Sequence, residues 1–158
     1  MERSGIVAVL LLAAGCATGE PVVPPPGPPP PPPPPPGPTI AGSWTFQWQV
    51  VVETGICNDQ GEISSETITL TQSGAAAPFT VSARGFLGSS NNQVTGTMNA
   101  QRAIALTGSY AEGGGTTASV YALTWDGQNA ITGTETWTWT GGAGSCPNAQ
   151  STVTATRN

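Results

Sequence analysis

Acid–base and nucleophilic chemistry has few candidate residues in this chain of 158 amino acids. Arginine supplies all four basic side chains, against nine acidic ones, and neither lysine nor histidine occurs. Without histidine the chain cannot assemble a Ser-His-Asp or Cys-His relay or a histidine-ligated zinc site, and without lysine it cannot form a Schiff base. The net charge of −5 leaves no basic surface for a phosphate backbone, which argues against nucleic acid as a partner. We therefore expect a protein that is not an enzyme and that uses no metal or other cofactor.

Glu135 has the most informative position among the acidic residues, because it alternates with Trp137 and Trp139 in the run 130–140. A strand places alternate residues on one face, so this carboxylate shares the tryptophan face and needs a partner if it is buried. We predict an ion pair with Arg157 on the neighbouring final strand. The alternatives are outward placement through a bulge and a ligand-contacting or catalytic carboxylate. The acidic loop 58–62 matches no calcium-loop spacing, so we treat it as solvated.

The first of the three cysteines ends an apolar segment near the start of the chain. Residues 5–14 are too short to span a bilayer but are typical of the apolar core of a secretory signal. The segment ends in Leu12-Ala13-Ala14-Gly15-Cys16, which resembles the lipobox of bacterial lipoprotein precursors. That family prefers Leu where this chain has Ala13. The resemblance implies a signal peptide at 1–15, cleavage before Cys16 and acylation of this cysteine, with palmitate as a typical chain. An ordinary cleaved signal with an incidental cysteine is the alternative.

The same resemblance implies a location in the bacterial cell envelope. Several acyl chains on one cysteine would attach the protein durably to a membrane. The family uses Asp after the cysteine for retention at the inner membrane, and this chain has Ala17 there. We therefore expect an outer-membrane lipoprotein whose domain faces either the periplasm or the cell surface.

Residues 16–38 carry the expected anchor and then a tract that is almost entirely proline from position 21. Proline fixes φ and lacks an N–H, so such a tract adopts the extended polyproline II conformation without a packed core. At about 3.1 Å per residue the tract extends roughly 50 Å. We interpret it as a disordered, semi-rigid spacer. A ligand for a proline-recognising groove is the alternative.

Residues 39–158 form the predicted folded domain, which consists of strands separated by turn residues. In the clearest run Trp44, Phe46 and Trp48 alternate with polar residues, which predicts one apolar face. Eight sequential runs favour a single antiparallel up-and-down barrel, because closure removes the sheet edges. A two-sheet sandwich is the alternative. The predicted strands are 42–52, 62–73, 78–87, 94–100, 103–111, 116–125, 130–140 and 149–157.

The remaining cysteines, Cys57 and Cys146, lie in the first and seventh predicted loops. Odd-numbered loops share one end of an up-and-down barrel, and closure brings the last strand beside the first. In an oxidising compartment we therefore predict a disulfide between these cysteines. The odd-numbered loops are also predicted to be the long ones. This end of the barrel should accordingly be open, and the other end closed by short turns.

Gly42-Ser43-Trp44 at the start of the first strand and Arg157 at the end of the last resemble the signature of lipocalin and avidin (calycin) barrels. The resemblance implies that Trp44 plugs the closed end and that Arg157 packs across its indole ring. We expect Glu135 to share the charge of this arginine. The chain lacks the lipocalin Thr-Asp-Tyr motif and the C-terminal helix, and it shows no match to the biotin-contacting residues of avidin. The resemblance therefore carries no ligand identity.

Aromatic residues on the predicted inner face are candidates for a ligand site: Trp48, Tyr110, Trp137 and Trp139. We predict a lipocalin-like pocket for a small apolar or amphipathic molecule or an envelope component. Small inward residues favour free volume there, namely Gly96, Ala100, Gly108 and Gly133. The alternative is a structural or surface interaction module whose core is filled by side chains. We expect a monomer with two partners, the membrane and a small hydrophobic ligand.

Overall fold

The computed structural model describes residues 27–32 and 39–158. The predicted signal peptide at 1–15 and the lipidation site Cys16 lie outside these ranges, as does most of the proline tract. No helix long and apolar enough to cross a membrane occurs in the described ranges. The strands are β1 (Gly42–Glu53), β2 (Ile63–Ser73), β3 (Phe79–Arg84), β4 (Gln93–Met98), β5 (Ala103–Glu112), β6 (Gly115–Trp125), β7 (Ala130–Gly141) and β8 (Gly144–Arg157).

These eight strands form one closed antiparallel barrel in sequential order, and β8 pairs with β1 to close it. The prediction of an up-and-down barrel is confirmed, and the sandwich alternative is wrong. Alternation of side chains explains the closure. Along β6 the residues Thr117, Ser119, Tyr121, Leu123 and Trp125 are buried while their neighbours are exposed. Closing the sheet buries every such face at once, and no strand edge is left open.

One end of the barrel is packed solidly around Trp44, which is fully buried. Its indole Nε1 donates a 2.9 Å hydrogen bond to the carbonyl oxygen of Ile40, and Ile40 is fully buried too. The guanidinium of Arg157 lies 4.6 Å from the Trp44 ring centroid, as the calycin resemblance implies. It also donates to the carbonyl oxygens of Ala41 at 2.9 Å and Thr39 at 2.6 Å. Residues 39–41 thus cross the closed end and are held there by the arginine.

Two of the four connections at the other end are shorter than predicted. Glu112 pairs with Gly115, and Gly141 pairs with Gly144, so each of these hairpins turns in two residues. The predicted long fifth and seventh loops are therefore wrong. In the first of these turns Gly113 and Gly114 have φ of 55° and 77°, the left-handed values that a two-residue type I′ turn requires. Cys146 consequently lies within β8, which begins at Gly144 and not at residue 149.

The third connection folds differently from the predicted strand 78–87. The strand ends at Arg84, because Gly85 has a φ of 113° that breaks the extended backbone. Phe86–Gly88 then form one 3-10 turn. The amide nitrogen of Gly85 donates to the carbonyl oxygen of Asn92 at 3.1 Å, which closes the base of this loop. The loop 85–92 is thus a compact structure of its own at the open end.

Candidate ligand-binding site at the open end

The open half of the barrel contains a cavity of about 520 Å³. Its wall draws on most of the strands and on the two long loops, 54–62 and 85–92. The lining residues are Trp48, Val50, Ile56, Cys57, Asp59, Glu62, Ser64, Glu66, Phe86, Leu87, Tyr110, Glu112, Thr117, Glu135, Trp137, Trp139 and Ser151. A cavity of this size is within the usual range for small-molecule sites.

All four aromatic residues predicted from the sequence lie on the wall of this cavity. Trp48 is 8% exposed, and its indole N–H has no hydrogen-bond partner among the described residues. Trp137 donates from Nε1 to the Ser151 hydroxyl at 3.2 Å. Trp139 donates from Nε1 to the Glu112 carbonyl oxygen at 2.8 Å. These two bonds fix the rings near the mouth, whereas the indole N–H of Trp48 is free to meet a ligand.

Phe86 is a wall residue that the sequence analysis did not identify. The 3-10 turn inserts its ring into the barrel, where it is 3% exposed. Ring centroids lie 5.6 Å from Tyr110, 6.0 Å from Tyr121 and 6.1 Å from Trp48, within aromatic contact distance. The sequence signal that could have found it is an apolar pair, Phe86-Leu87, placed between two glycines in a loop.

The small inward residues do not supply the free volume, because none of them lines the cavity. A Cβ on Gly96 would collide with the Ala105 carbonyl oxygen, and one on Gly133 with the Ala122 carbonyl oxygen. These oxygens belong to the neighbouring strands, so glycine allows the backbones to approach closely where the sheet coils. Ala100 lies in the turn between β4 and β5. The prediction of free volume at these positions was wrong.

The predicted ion pair between Glu135 and Arg157 is also wrong, as is the placement of Glu135 at the closed end. Glu135 pairs across the sheet with Ser151, which precedes Arg157 by six residues on β8. At about 3.3 Å per residue the two levels are roughly 20 Å apart along the strand. Arg157 instead lies opposite Trp44. Glu135 and Arg157 both face inward, but Glu135 lines the cavity, whereas Arg157 packs at the closed end of the barrel.

Glu135 is 5% exposed and is the lowest residue of β7 on the cavity wall. Burial raises the pKa of its carboxyl, and the nearby charge of Glu112 raises it further. The Ser119 and Tyr121 hydroxyls lie close enough to lower this pKa in part. However, neither hydroxyl makes a hydrogen bond of acceptable geometry within the described part of the chain. The Glu135 carboxyl is therefore buried beside two hydroxyl groups that form no hydrogen bond with it in the described part of the chain.

The pKa values of the two tyrosines near Glu135 are also raised. Burial is the main cause of the raised pKa of the Tyr110 phenol, followed by the charge of Glu135. The same two causes, in the same order, raise the pKa of Tyr121. Both phenols are protonated at physiological pH, as an ordinary tyrosine is, so each hydroxyl can donate a hydrogen bond.

Four further carboxylates line the cavity: Asp59, Glu62, Glu66 and Glu112. Glu66 accepts a 2.7 Å hydrogen bond from the backbone amide of Leu87, which holds the 3-10 turn over the barrel. Glu112 accepts a hydrogen bond from the Thr117 hydroxyl. No arginine in 27–32 or 39–158 lies on this wall. Arg102 binds the Asp126 carbonyl oxygen at 2.6 Å, and Arg84 is exposed on the outer face of β3.

A disulfide between Cys57 and Cys146, with Cα atoms 5.8 Å apart, joins the first loop to β8. The predicted pairing is confirmed, although Cys146 belongs to a strand and not to a loop. The amide of Ile56 donates to the Ser145 carbonyl oxygen at 3.2 Å beside it. Glu53 lies near both sulfur atoms, but bonded sulfurs are not thiolate ligands, so this cluster is not a metal site. The disulfide therefore fixes one side of the cavity mouth.

Comparison with known proteins finds no matching family, no matching curated protein and no matching solved structure. The closed barrel of eight antiparallel strands is consistent with a calycin-like fold.

Proposed function

We propose that this protein is a lipid-anchored envelope protein whose barrel binds a small amphipathic molecule in the open-end cavity, without catalysing a reaction. One observation carries the binding proposal: five aromatic rings surround a cavity of about 520 Å³ at the open end of the barrel, where the disulfide fixes one side of the mouth. Rigid aromatic walls provide a large apolar contact area for a ligand.

Exposed apolar residues at the open end of the barrel indicate that the ligand has an apolar portion. Within the described ranges, five of the six large apolar side chains that are exposed lie at the open end: Val51, Val52, Ile56, Ile63 and Leu87. Exposed apolar residues grouped at one place mark a binding surface more often than scattered ones do. Two of these residues, Ile56 and Leu87, line the cavity, and a ligand entering the mouth would contact them.

The alternative is a structural or surface interaction module with a filled core. The closed half does have a filled core, in which Trp44, Phe46, Ile68 and Met98 are at most 2% exposed. The open half differs, because its aromatic residues stand around a space that they do not fill. This contrast between the two halves favours ligand binding over the alternative.

The anchor and the location are proposed from the lipobox-like sequence at 12–16 and the proline tract that follows it. An acylated Cys16 would attach the chain to the outer membrane, and the tract would hold the barrel away from the lipid surface. The barrel would then meet its ligand in the periplasm or outside the cell.

A pair of matched variants tests the binding proposal. Ser64 is exposed and lines the cavity, whereas Thr67 lies three residues further along β2 on the outer face. We expect 1:1 binding of the neutral fluorescent probe N-phenyl-1-naphthylamine to the wild-type protein, with displacement by 1-octanol. Ser64→Trp should weaken binding at least tenfold by occupying part of the cavity, while Thr67→Trp should leave it unchanged. Absence of binding in the wild type, or equal effects of the two variants, would contradict the proposal.

A further inference from the structure

We propose that the ligand is cationic, an ammonium group joined to an apolar body, and that Glu135 at the cavity floor receives the ammonium group. This inference rests on the proposed binding function and specifies the chemistry of the ligand. It follows from three features of the cavity: the sign of its charges, the burial of Glu135 and the unpaired polar atoms around it.

The charges on the cavity wall are all negative. Five carboxylates are distributed from the mouth to the floor, and none of the described arginines is among the lining residues. Asp59 and Glu62 are exposed at the mouth, Glu66 and Glu112 are partly buried, and Glu135 is buried. A cleft lined by one sign of charge concentrates ligands of the opposite sign and repels anions. A fatty acid or another anionic amphiphile is therefore disfavoured.

Glu135 is the cavity residue that would gain most from a cation. Its side chain is 5% exposed, and the nearest described arginine on the adjacent strand lies roughly 20 Å away along β8. A buried carboxylate is costly unless it is paired with a positive charge or neutralised by a proton. Without a ligand it is surrounded by hydroxyl groups and by the like charge of Glu112. An ammonium group beside it would supply the missing positive charge.

The unpaired polar atoms are the third feature, and they are independent of the charges. Trp48 Nε1, the Tyr121 hydroxyl and the Ser119 hydroxyl are all buried without hydrogen-bond partners in the described part of the chain. Tyr121 lies near both Trp48 and Glu135, and Ser119 lies near Glu135, so these groups are gathered around the buried carboxyl. Buried polar groups in native proteins are normally satisfied, so these atoms are expected to be contacted by bound water or by a polar group of a ligand.

The aromatic walls suit a cation as well as an apolar body. Tryptophan and tyrosine rings attract a cation held within about 6 Å of the ring centroid, and most strongly when the cation is desolvated. Trp48 lines the floor, while Trp137 and Trp139 follow Glu135 on β7 toward the mouth. An ammonium group at Glu135 would thus lie at the inner end of an aromatic passage that takes up the apolar body.

Three ligands with one tail and different head groups test the charge of the ligand. Octyltrimethylammonium, 1-octanol and octyl sulfate are titrated by calorimetry into the chain from residue 16 carrying Cys16→Ser, which has neither the acyl chains nor the apolar segment 5–14 and therefore needs no detergent. We expect the cation to bind at least tenfold more tightly than the alcohol, and the sulfate to bind most weakly. Equal binding of all three would overturn the charge inference but leave the proposed function standing. Binding of none of them would refute both.

Two variants that each remove one negative charge test the role of Glu135. Glu135→Gln keeps the size of the side chain and should weaken binding of the cation by about ten- to one-hundredfold, as expected for losing a contact to a charged group. Binding of 1-octanol should change little. Asp126→Asn is the matched control at the closed end, where an amide oxygen can still accept the bonds from Gln128 and Ala130. If the cation bound equally well to Glu135→Gln and to Asp126→Asn, Glu135 would not be its receptor.

Discussion

Replacing Arg157 by leucine tests how the barrel is closed. The substitution removes a guanidinium that lies 4.6 Å from the Trp44 ring centroid and donates to two backbone carbonyl oxygens. The cation–π contact contributes about 0.5–2 kcal/mol. A hydrogen bond from a charged donor contributes about 1.5–3 kcal/mol when buried, and less here because the Thr39 contact is exposed. Together these terms predict that Arg157→Leu lowers the free energy of unfolding by about 2–4 kcal/mol.

Urea unfolding followed by tryptophan fluorescence measures this loss. Arg157→Lys retains the charge but not the planar fork that reaches both carbonyl groups, so we expect it to recover only part of the stability. Arg84→Leu is the matched control, because this arginine is exposed on the outer face of β3. It should change the free energy of unfolding by less than about 0.5 kcal/mol.

A double-mutant cycle that combines Arg157→Leu with Glu135→Gln tests whether these two residues are as far apart as the strand register places them. Since Glu135 and Arg157 are roughly 20 Å apart along the strand, their effects should add within about 0.5 kcal/mol. A coupling energy above about 1 kcal/mol would show that the two charges interact. A harmless Arg157→Leu would refute the account of the closed end itself.

Three further predictions concern the site, the disulfide and the anchor. Because Glu135 has a pKa raised above its ordinary 4.5 when folded, the folded state binds its proton more tightly than the unfolded state does. Lowering the pH from above the raised pKa toward 4.5 should therefore stabilise the wild type. Glu135→Gln should be more stable than the wild type at pH above the raised pKa and should lose this part of the pH dependence in thermal melts. Removing the disulfide with the double variant Cys57→Ala and Cys146→Ala opens a loop with a sequence separation of 89 residues. The loss should reach about 4–5 kcal/mol if chain entropy dominates, and urea midpoints of the oxidised and double-variant proteins measure it. Cys16→Ser should move the protein from the membrane fraction to the soluble fraction, and unchanged fractionation would contradict lipidation.

Local patterns were sufficient to predict much of this barrel. Period-two alternation identifies the face of each residue, so Trp48, Tyr110, Trp137 and Trp139 could all be assigned to the interior before their surroundings were known. The parity of the loops placed Cys57 at the same end of the barrel as Cys146. Parity depends only on the number of strands, so this prediction is correct although Cys146 lies in β8 and not in a loop.

Loop structure was harder to predict, because it depends on backbone angles that polar composition does not specify. The glycine-rich segment near Gly113 resembles a long loop in composition but forms a two-residue turn, since consecutive left-handed residues satisfy a type I′ hairpin. The opposite error occurred at Phe86, where an apolar residue that fitted a strand left the sheet after Gly85. Its insertion into the cavity depends on contacts with Tyr110 and Trp48, which are distant in sequence.

The sequence by itself determined the number of strands, the face that each one buries and the shortage of basic residues, because these properties are local or compositional. Only the tertiary structure decided the height of each residue inside the barrel. Alternation is the same at every level of a strand, whereas height depends on the stagger accumulated between strands around the closed sheet. That stagger places Arg157 against Trp44 and leaves Glu135 about six residues higher, on the floor of the cavity.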